Sequence, residues 1–579
     1  MRKEKKKRNA NSNAAETGVG AEKKKNLNCN VMKVLVFLVS GVFSYLLITE
    51  VYLVNQDKAA FWAGLGSGII ALVSFISIVL SSRQHRERER KNLERLKGPY
   101  SLELKTQSSQ VLIGNPFRGI FIVGSAGSGK SESIAVPLLS EYLKKSFSGL
   151  IYDFKFPTLA NDAQKLLNEL KTPLNHFYLD FNNPLRSYRV NPFNPKYLLN
   201  VNYAREFAQA IVSNLTPESI EKKDFWTRSA TDLLTACIWY LKEEEPEKCT
   251  LPHVLAMITS NDTALLETLQ KNPQSAQMTI STYNAMQRGS NNQLSGVIGT
   301  LQSMVAQINT PELMYVFSGD DFSLDLNNPS SPIVLTVGSY PTLTETFAPL
   351  CSLVITVATK LMNQPNKHQS FVLLDESPTV FVPNLDVLPN TGRDNKISTV
   401  LMVQDLAQLR QGYGDVKADV LFAACNNHLY GRVSSSKTAE VLSSQFGKQD
   451  KVYTTHSSTS SSSGTLSPKG GSESSTTSTN IQEREIIKAA EFLKLQPGEF
   501  VVSLVESNKH GFFKDRFNMI NRSIPKHEIV LTPPEHPADA IKANYLKIRS
   551  EVDEILYLTR DERKGVKSKL DEIRNRRES

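Results

Sequence analysis

Residues 121–133 read FIVGSAGSGKSES. A strand-like run there ends in three glycines, a lysine and a serine, spaced as Gly124-x-x-x-x-Gly129-Lys130-Ser131. Small residues at this spacing let the backbone turn several N–H groups toward one anion, the arrangement by which a P-loop holds nucleotide phosphates. Gly124, Gly127, Ser128, Gly129, Lys130, Ser131 and Glu132 are the candidate cradle. Within it, Lys130 reaches the β- and γ-phosphates and the Ser131 hydroxyl ligates Mg²⁺. The following SESIAVPLLSEYLKK has helical spacing, so the positive end of a helix faces the same phosphates. ATP and Mg²⁺ are the expected ligands.

Hydrolysis also needs carboxylates at a strand end. FVLLDES, with four apolar residues before Asp375 and Glu376, fits that need. Asp375 supports Mg²⁺, and Glu376 acts as general base or positions the attacking water. Gln404 ends the apolar run STVLMVQ, a place from which a side chain can touch the γ-phosphate between neighbouring strands. Arg393, in NTGRDNK, becomes a catalytic candidate if the protein is a ring, where a neighbour's arginine stabilises transition-state charge.

These side chains need a parallel α/β sheet behind them. GLIYDFKFP (149–157), ending in Asp153 and Lys155, and HFYLDF (176–181) read as further strands, and strands alternating with helices place the P-loop at a C-terminal sheet edge. From 197 to 318 the pattern turns wholly helical, an all-α insertion. Strand signals return at PIVLTVGS, SFVLLDE, STVLMVQD, HLYGRVS and GEFVVSLV. Between the last two, residues 454–480 are Ser/Thr-rich and read as a mobile loop without a core. From 536 to 579 the chain reads as a charged helical tail, solvated or facing a partner.

Ahead of the soluble part stand two apolar runs, 34–54 and 59–80, each long enough to span a bilayer. Residues 1–25 hold nine Lys/Arg against three Glu, and 83–97 hold seven against three. These flanks carry the whole net charge of +9, so it reflects cytoplasmic positioning of both ends of a hairpin and argues nothing about nucleic acid. Gly64 and Gly68 permit close packing of the second span. Cys29, Cys237, Cys249, Cys351 and Cys425 lack CxxC spacing, so neither a disulfide framework nor a zinc site is expected. The expected plan is 1–30 basic tail, 31–82 hairpin, 83–196 and 319–535 nucleotide-binding domain, 197–318 all-α domain, and 536–579 tail.

Together, GSAGSGKSES, IYDFKFP, YRVNPFNP, the inserted helices, FVLLDES, QDLAQLRQGYG and EIIKAAEFLKLQPGEFVVSL resemble the TraG/TraD family of type IV secretion coupling proteins, over most of residues 31–510. The resemblance implies a RecA-like ATPase that forms a homo-hexamer at the bacterial inner membrane. Its implied partners are a relaxase–DNA complex, single-stranded DNA and the proteins of the secretion channel. It places Gln404 at the γ-phosphate, gives Arg393 the role of trans-acting arginine, and makes the all-α domain a substrate sorter. Export of protein effectors, or a docking receptor that does not hydrolyse nucleotide, are the alternative readings.

Overall fold

The strands that carry the motifs are buried on both faces. SGLIYD, IVLTVG, SFVLL and ISTVLMV have every residue buried, as continuous apolar runs in a covered parallel sheet should. The computed structural model describes residues 58–222, 224–460, 473–509, 511–520 and 534–557, together with Tyr45 and Leu531. The chain divides into two units, Met1–Lys97 and Gly98–Ser579.

Among the described residues of the first unit, a helix runs over Lys58–Leu96. Trp62, Leu65, Ile69, Leu72, Val73, Phe75 and Ile76 are exposed along it. Exposed aliphatic and aromatic side chains at this density are what a lipid environment would cover. Its most apolar stretch is Gly68–Leu80, and it continues without a break into the basic segment expected after the second span. The first span expected at 34–54 lies outside the described residues, Tyr45 apart. Among the described residues, the helix that by length and composition would cross a membrane is Thr344–Met362. It lies buried in the core of the second unit.

The second unit is built on nine strands: β3 (Ile120–Val123), β4 (Ser148–Asp153), β5 (Asn175–Leu179), β6 (Ile333–Gly338), β7 (Ser370–Leu374), β8 (Ile397–Val403), β9 (Asn427–Tyr430), β12 (Glu499–Ser503) and β13 (Phe512–Arg516). Their order is β13-β12-β9-β3-β8-β7-β4-β6-β5. The seven from β9 to β5 are parallel. The expected parallel sheet is mixed at the other edge, where β12 lies antiparallel to β9 and β13 antiparallel to β12. β12 and β13 are joined by a short connection, which permits only antiparallel pairing. Two short strands ahead of them, β1 (Leu102–Lys105) and β2 (Gln110–Ile113), form a separate hairpin.

Seven helices, from Val201–Leu215 to Pro311–Val316, stand between β5 and β6. Polar caps start most of them: Asn200, Asp224, Thr250, Asn261, Asn272 and Thr310 each accept a backbone N–H of the first turn. The charged tail is not simply solvated. Its helix Ala540–Tyr557 buries Ile548, Val552, Ile555 and Leu556. Glu551 accepts from His253 Nε2 at 3.0 Å, and Glu554 pairs with Lys248 at 3.6 Å, both on or beside the helix Leu251–Ile258. The alternating charges conceal an apolar stripe at helical spacing, three to four residues apart.

The Ser/Thr-rich segment also departs from expectation. β10 (Lys448–Ser460) and β11 (Glu473–Glu485) pair antiparallel as a ribbon, with Thr454 opposite Thr479 and His456 opposite Thr477. Residues 461–472 lie outside the description. A ribbon satisfies its backbone groups across the pair and needs no core to do so, and threonine is well suited to a strand.

Candidate nucleotide site

β3 is central, between β9 and β8, so the P-loop leaves the sheet where strands flank it on both sides. The start of the loop is fastened to both flanking strands' exits: Gly124 N–H donates to Val403 O (3.1 Å) and Ser125 N–H to Arg432 O (2.7 Å). Gly129 has φ +89°, and a Cβ there would lie 2.9 Å from the Gly498 nitrogen. Only glycine fits both the left-handed backbone and that close approach. A π-helical turn over Lys130–Ala135 then leads into the helix Val136–Lys144.

β8 sits between β3 and β7. That order brings the ends of three strands together, and one cleft is lined by Ser125, Gly127, Gly129, Lys130, Ser131, Glu132, Asp375, Glu376 and Gln404. Glu376 is buried in the left-handed region (φ +57°) and accepts the Gln404 N–H at 3.2 Å on Oε1. Lys130 is buried and donates to the Gly124 carbonyl. Burial pushes its ammonium below the usual lysine range, against the pull of Glu376 and Asp375. The hydroxyls of Ser125, Ser128 and Ser133 are buried without a partner among the described residues. Such groups are satisfied by a ligand or by water. Ser131 and Asp375 supply hard oxygen donors, and no cluster of three metal-ligating His, Cys, Asp or Glu occurs among the described residues. That fits Mg²⁺, which keeps its waters and arrives with the phosphates.

Of the expected residues, Gly124 and Ser128 shape the loop from behind, and Arg393 is not brought to the cleft. It is exposed, ahead of the first residue of β8, whereas Gln404 follows the last. The two thus lie at opposite ends of the strand. Phe154, Lys155, Thr158 and Leu159 also line the cleft, contributed by the loop after β4. The sequence reading had left that loop without a role. A second omission is the turn before β12. Gly498 N–H donates to Ser128 O (2.9 Å), Phe517 N–H to Gly498 O (2.9 Å) and Ile520 N–H to Glu132 O (3.0 Å). This brace acts through backbone atoms, and no side chain announced it.

A phosphate loop at the end of a central parallel strand, with an acidic pair two strands away, defines the P-loop NTPase class. More narrowly, residues 80–569 match the family model for type IV secretory system conjugative DNA transfer, and the chain belongs to that family. The fold is similar to the bacterial conjugative coupling protein TrwBΔN70 in its unbound form. The TM-score is 0.55 at 16% identity, over 72% of this chain and 88% of that one. Plasmid coupling protein TrwB with ADPNP gives 0.54 at 16% identity, over 71% and 88%. TrwB with ADP and Mg²⁺ gives 0.54 at 16% identity, over 71% and 87%. No curated protein sequence matches the chain.

Proposed function

We propose that this protein is the membrane-tethered ATPase of a conjugative DNA-transfer system, coupling a relaxase-bound single strand to a type IV secretion channel. The observation that carries it is the meeting of Lys130, Ser131, Asp375, Glu376 and Gln404 in one cleft, in a chain of this family. TrwB, of similar fold, has been solved with ADPNP and with ADP and Mg²⁺, which supports ATP and Mg²⁺ here. In this reading Gly124, Gly127, Ser128, Gly129 and Glu132 shape and line the phosphate cradle, and Lys130 neutralises the β- and γ-phosphates. Ser131 and Asp375 hold Mg²⁺, which screens charge on the phosphate oxygens when bound. The Glu376 carboxylate takes a proton from water as the water oxygen bonds to the γ-phosphorus and the bridging P–O bond to ADP breaks. Gln404 orients that water or the γ-phosphate.

The domain is RecA-like in this reading and works as a hexamer. Arg393, remote from its own cleft, faces the site of the next copy. The spans 34–54 and 59–80 anchor the ring in the inner membrane with the N-terminus and the ATPase domain in the cytoplasm. DNA is held through its phosphates with little sequence preference.

The test is ATP turnover by the full chain in nanodiscs, with and without single-stranded DNA, beside Lys130→Ala and Arg393→Ala. Turnover that rises with DNA and is lost in both variants is expected. Turnover indifferent to DNA would redirect the cargo to protein, and bound nucleotide without turnover would make the protein a docking platform.

A further inference from the structure

The loop Asp153–Leu159 places one more cation at the hydrolytic centre. β4 is the neighbour of β7 on the side away from the P-loop, so the two strands end at the same edge. Asp375 N–H donates to Tyr152 O at 3.1 Å, which fixes the ends of the strands against each other. Two residues past Asp153, the last residue of β4, Lys155 projects into the cleft that also holds Lys130, Asp375, Glu376 and Gln404.

The backbone of Lys155 is unusually well held for an exposed loop lysine. Its N–H donates to Asp153 Oδ1 (3.2 Å), and its carbonyl accepts from Thr158 N (3.0 Å) and Thr158 Oγ1 (2.7 Å). Asp153 Oδ2 accepts the Ala160 N–H at 3.0 Å, locking the far end of the loop. The next residue, Phe156, donates its N–H to Ser339 O (3.1 Å) and buries its ring about 6 Å from those of Tyr178 and Tyr340. A fully buried carboxylate is a costly way to position a surface lysine, because desolvation opposes its charge. Among the described residues the Lys155 ammonium enters no ion pair or side-chain hydrogen bond. Both Asp375 and Glu376 act on Lys130, Lys155 is close enough to oppose its charge, and a triphosphate adds several more negative charges to the same space.

We propose that Lys155 is a catalytic residue acting in cis, its ammonium contacting the γ-phosphoryl oxygens as they gather charge in the transition state. The proposal rests on the ATPase reading above. Lys155 stays protonated throughout: water supplies the oxygen, Glu376 takes the proton, and ADP leaves with the electrons of the broken P–O bond. Asp153 is the positioning residue behind it. A cation carried on a well-held backbone and aimed at developing charge acts on the chemical step more than on substrate binding.

The experiment uses the full-length protein in nanodiscs, as wild type, Lys155→Met and Lys155→Arg. It measures kcat, the Kd for ADPNP, and the Kd for ADP with aluminium fluoride, a mimic of the transferring phosphoryl group. Lys155→Met should lower kcat about 100-fold and weaken the aluminium fluoride complex by a similar factor, while ADPNP affinity stays within about 3-fold. Lys155→Arg should recover most of the loss. An unchanged melting temperature in Lys155→Met, expected for an exposed side chain, excludes misfolding. An active wild type with an equally active Lys155→Met overturns the proposal and leaves the ATPase reading intact. Equal weakening of ADPNP and aluminium fluoride binding would make Lys155 a ground-state anchor and also overturn it. A wild type without turnover overturns the hydrolysis reading, and the role of Lys155 with it.

Discussion

The docking of the C-terminal helix can be tested by removing one side chain. Ile555 is fully buried, and Ile548 and Val552 are nearly so, on one face of Ala540–Tyr557. Ile555→Ala deletes three carbons from that face. At about 0.8 kcal/mol per buried carbon, plus a term for the unfilled space, the cost is about 3 kcal/mol. Leu546, on the same helix, is 57% exposed, and Leu546→Ala should cost less than about 0.5 kcal/mol. Because the stripe packs beside Leu251–Ile258, the loss should appear as easier opening of that region, ahead of any global unfolding. Native-state hydrogen exchange reads it directly. Amides in 251–258 and 548–556 should exchange about 100-fold faster in Ile555→Ala, the factor that 3 kcal/mol implies, and unchanged in Leu546→Ala. Equal protection in both variants would refute the packing argument and return the tail to a solvated role.

Two further predictions concern the cleft. Gly498 has φ +82°, and a Cβ there would lie 3.3 Å from both Phe517 O and Ser133 Oγ. Gly498→Ala should strain the brace by about 1–2 kcal/mol and raise the Kd for ADPNP about 5–30-fold. Gly447→Ala, at φ +72° with open space around it, should leave that Kd alone, and an equal effect of the two would exclude a specific brace. The second concerns pH. Burial, reinforced by Asp375, pushes the Asp153 carboxyl up to about 7 from the ordinary 3.8. A pKa raised on folding stabilises the native state below the unfolded value and loses that contribution as pH climbs through the folded value. Stability attributable to Asp153 should therefore fall between pH 4 and 7, by up to about 4 kcal/mol. Urea midpoints at pH 4.5 and 8 should diverge in wild type by more than in Asp153→Asn, and parallel slopes would exclude the effect.

What could be read from the sequence follows what kind of atom does the work. Lys130, Asp375, Glu376 and Gln404 reach the cleft with side chains on or just after the ends of apolar strands, and residue type and apolar runs betray both. Their gathering depends on strand order, with β8 between β3 and β7, and no local pattern carries that order. The brace from Gly498 works through backbone N–H and C=O groups that every residue has, so its only trace was a glycine in an ordinary turn motif, LQPGEF. The ribbon was missed for a related reason: Ser/Thr richness signals a weak core, and the backbone pairing of β10 with β11 is independent of one. The tail was legible as a helix but its buried face was not, because its four buried aliphatics lie among many charges, and composition averages over the faces that a helix separates.

The brace also sets a timetable for synthesis. Gly498 emerges from the ribosome about 370 residues after Gly129, and β8 and β9, which flank β3, emerge about 280 and 310 residues after β3. At about 5–20 residues per second, the phosphate loop waits roughly 20–75 s for its last neighbour. Before β8 and β9 arrive β3 has no partner on either side, and before Gly498 arrives Gly129 lacks the backbone it packs against. A nascent chain therefore cannot complete its nucleotide cleft early, and the phosphate loop gains its last backbone neighbour only as the final strands are delivered.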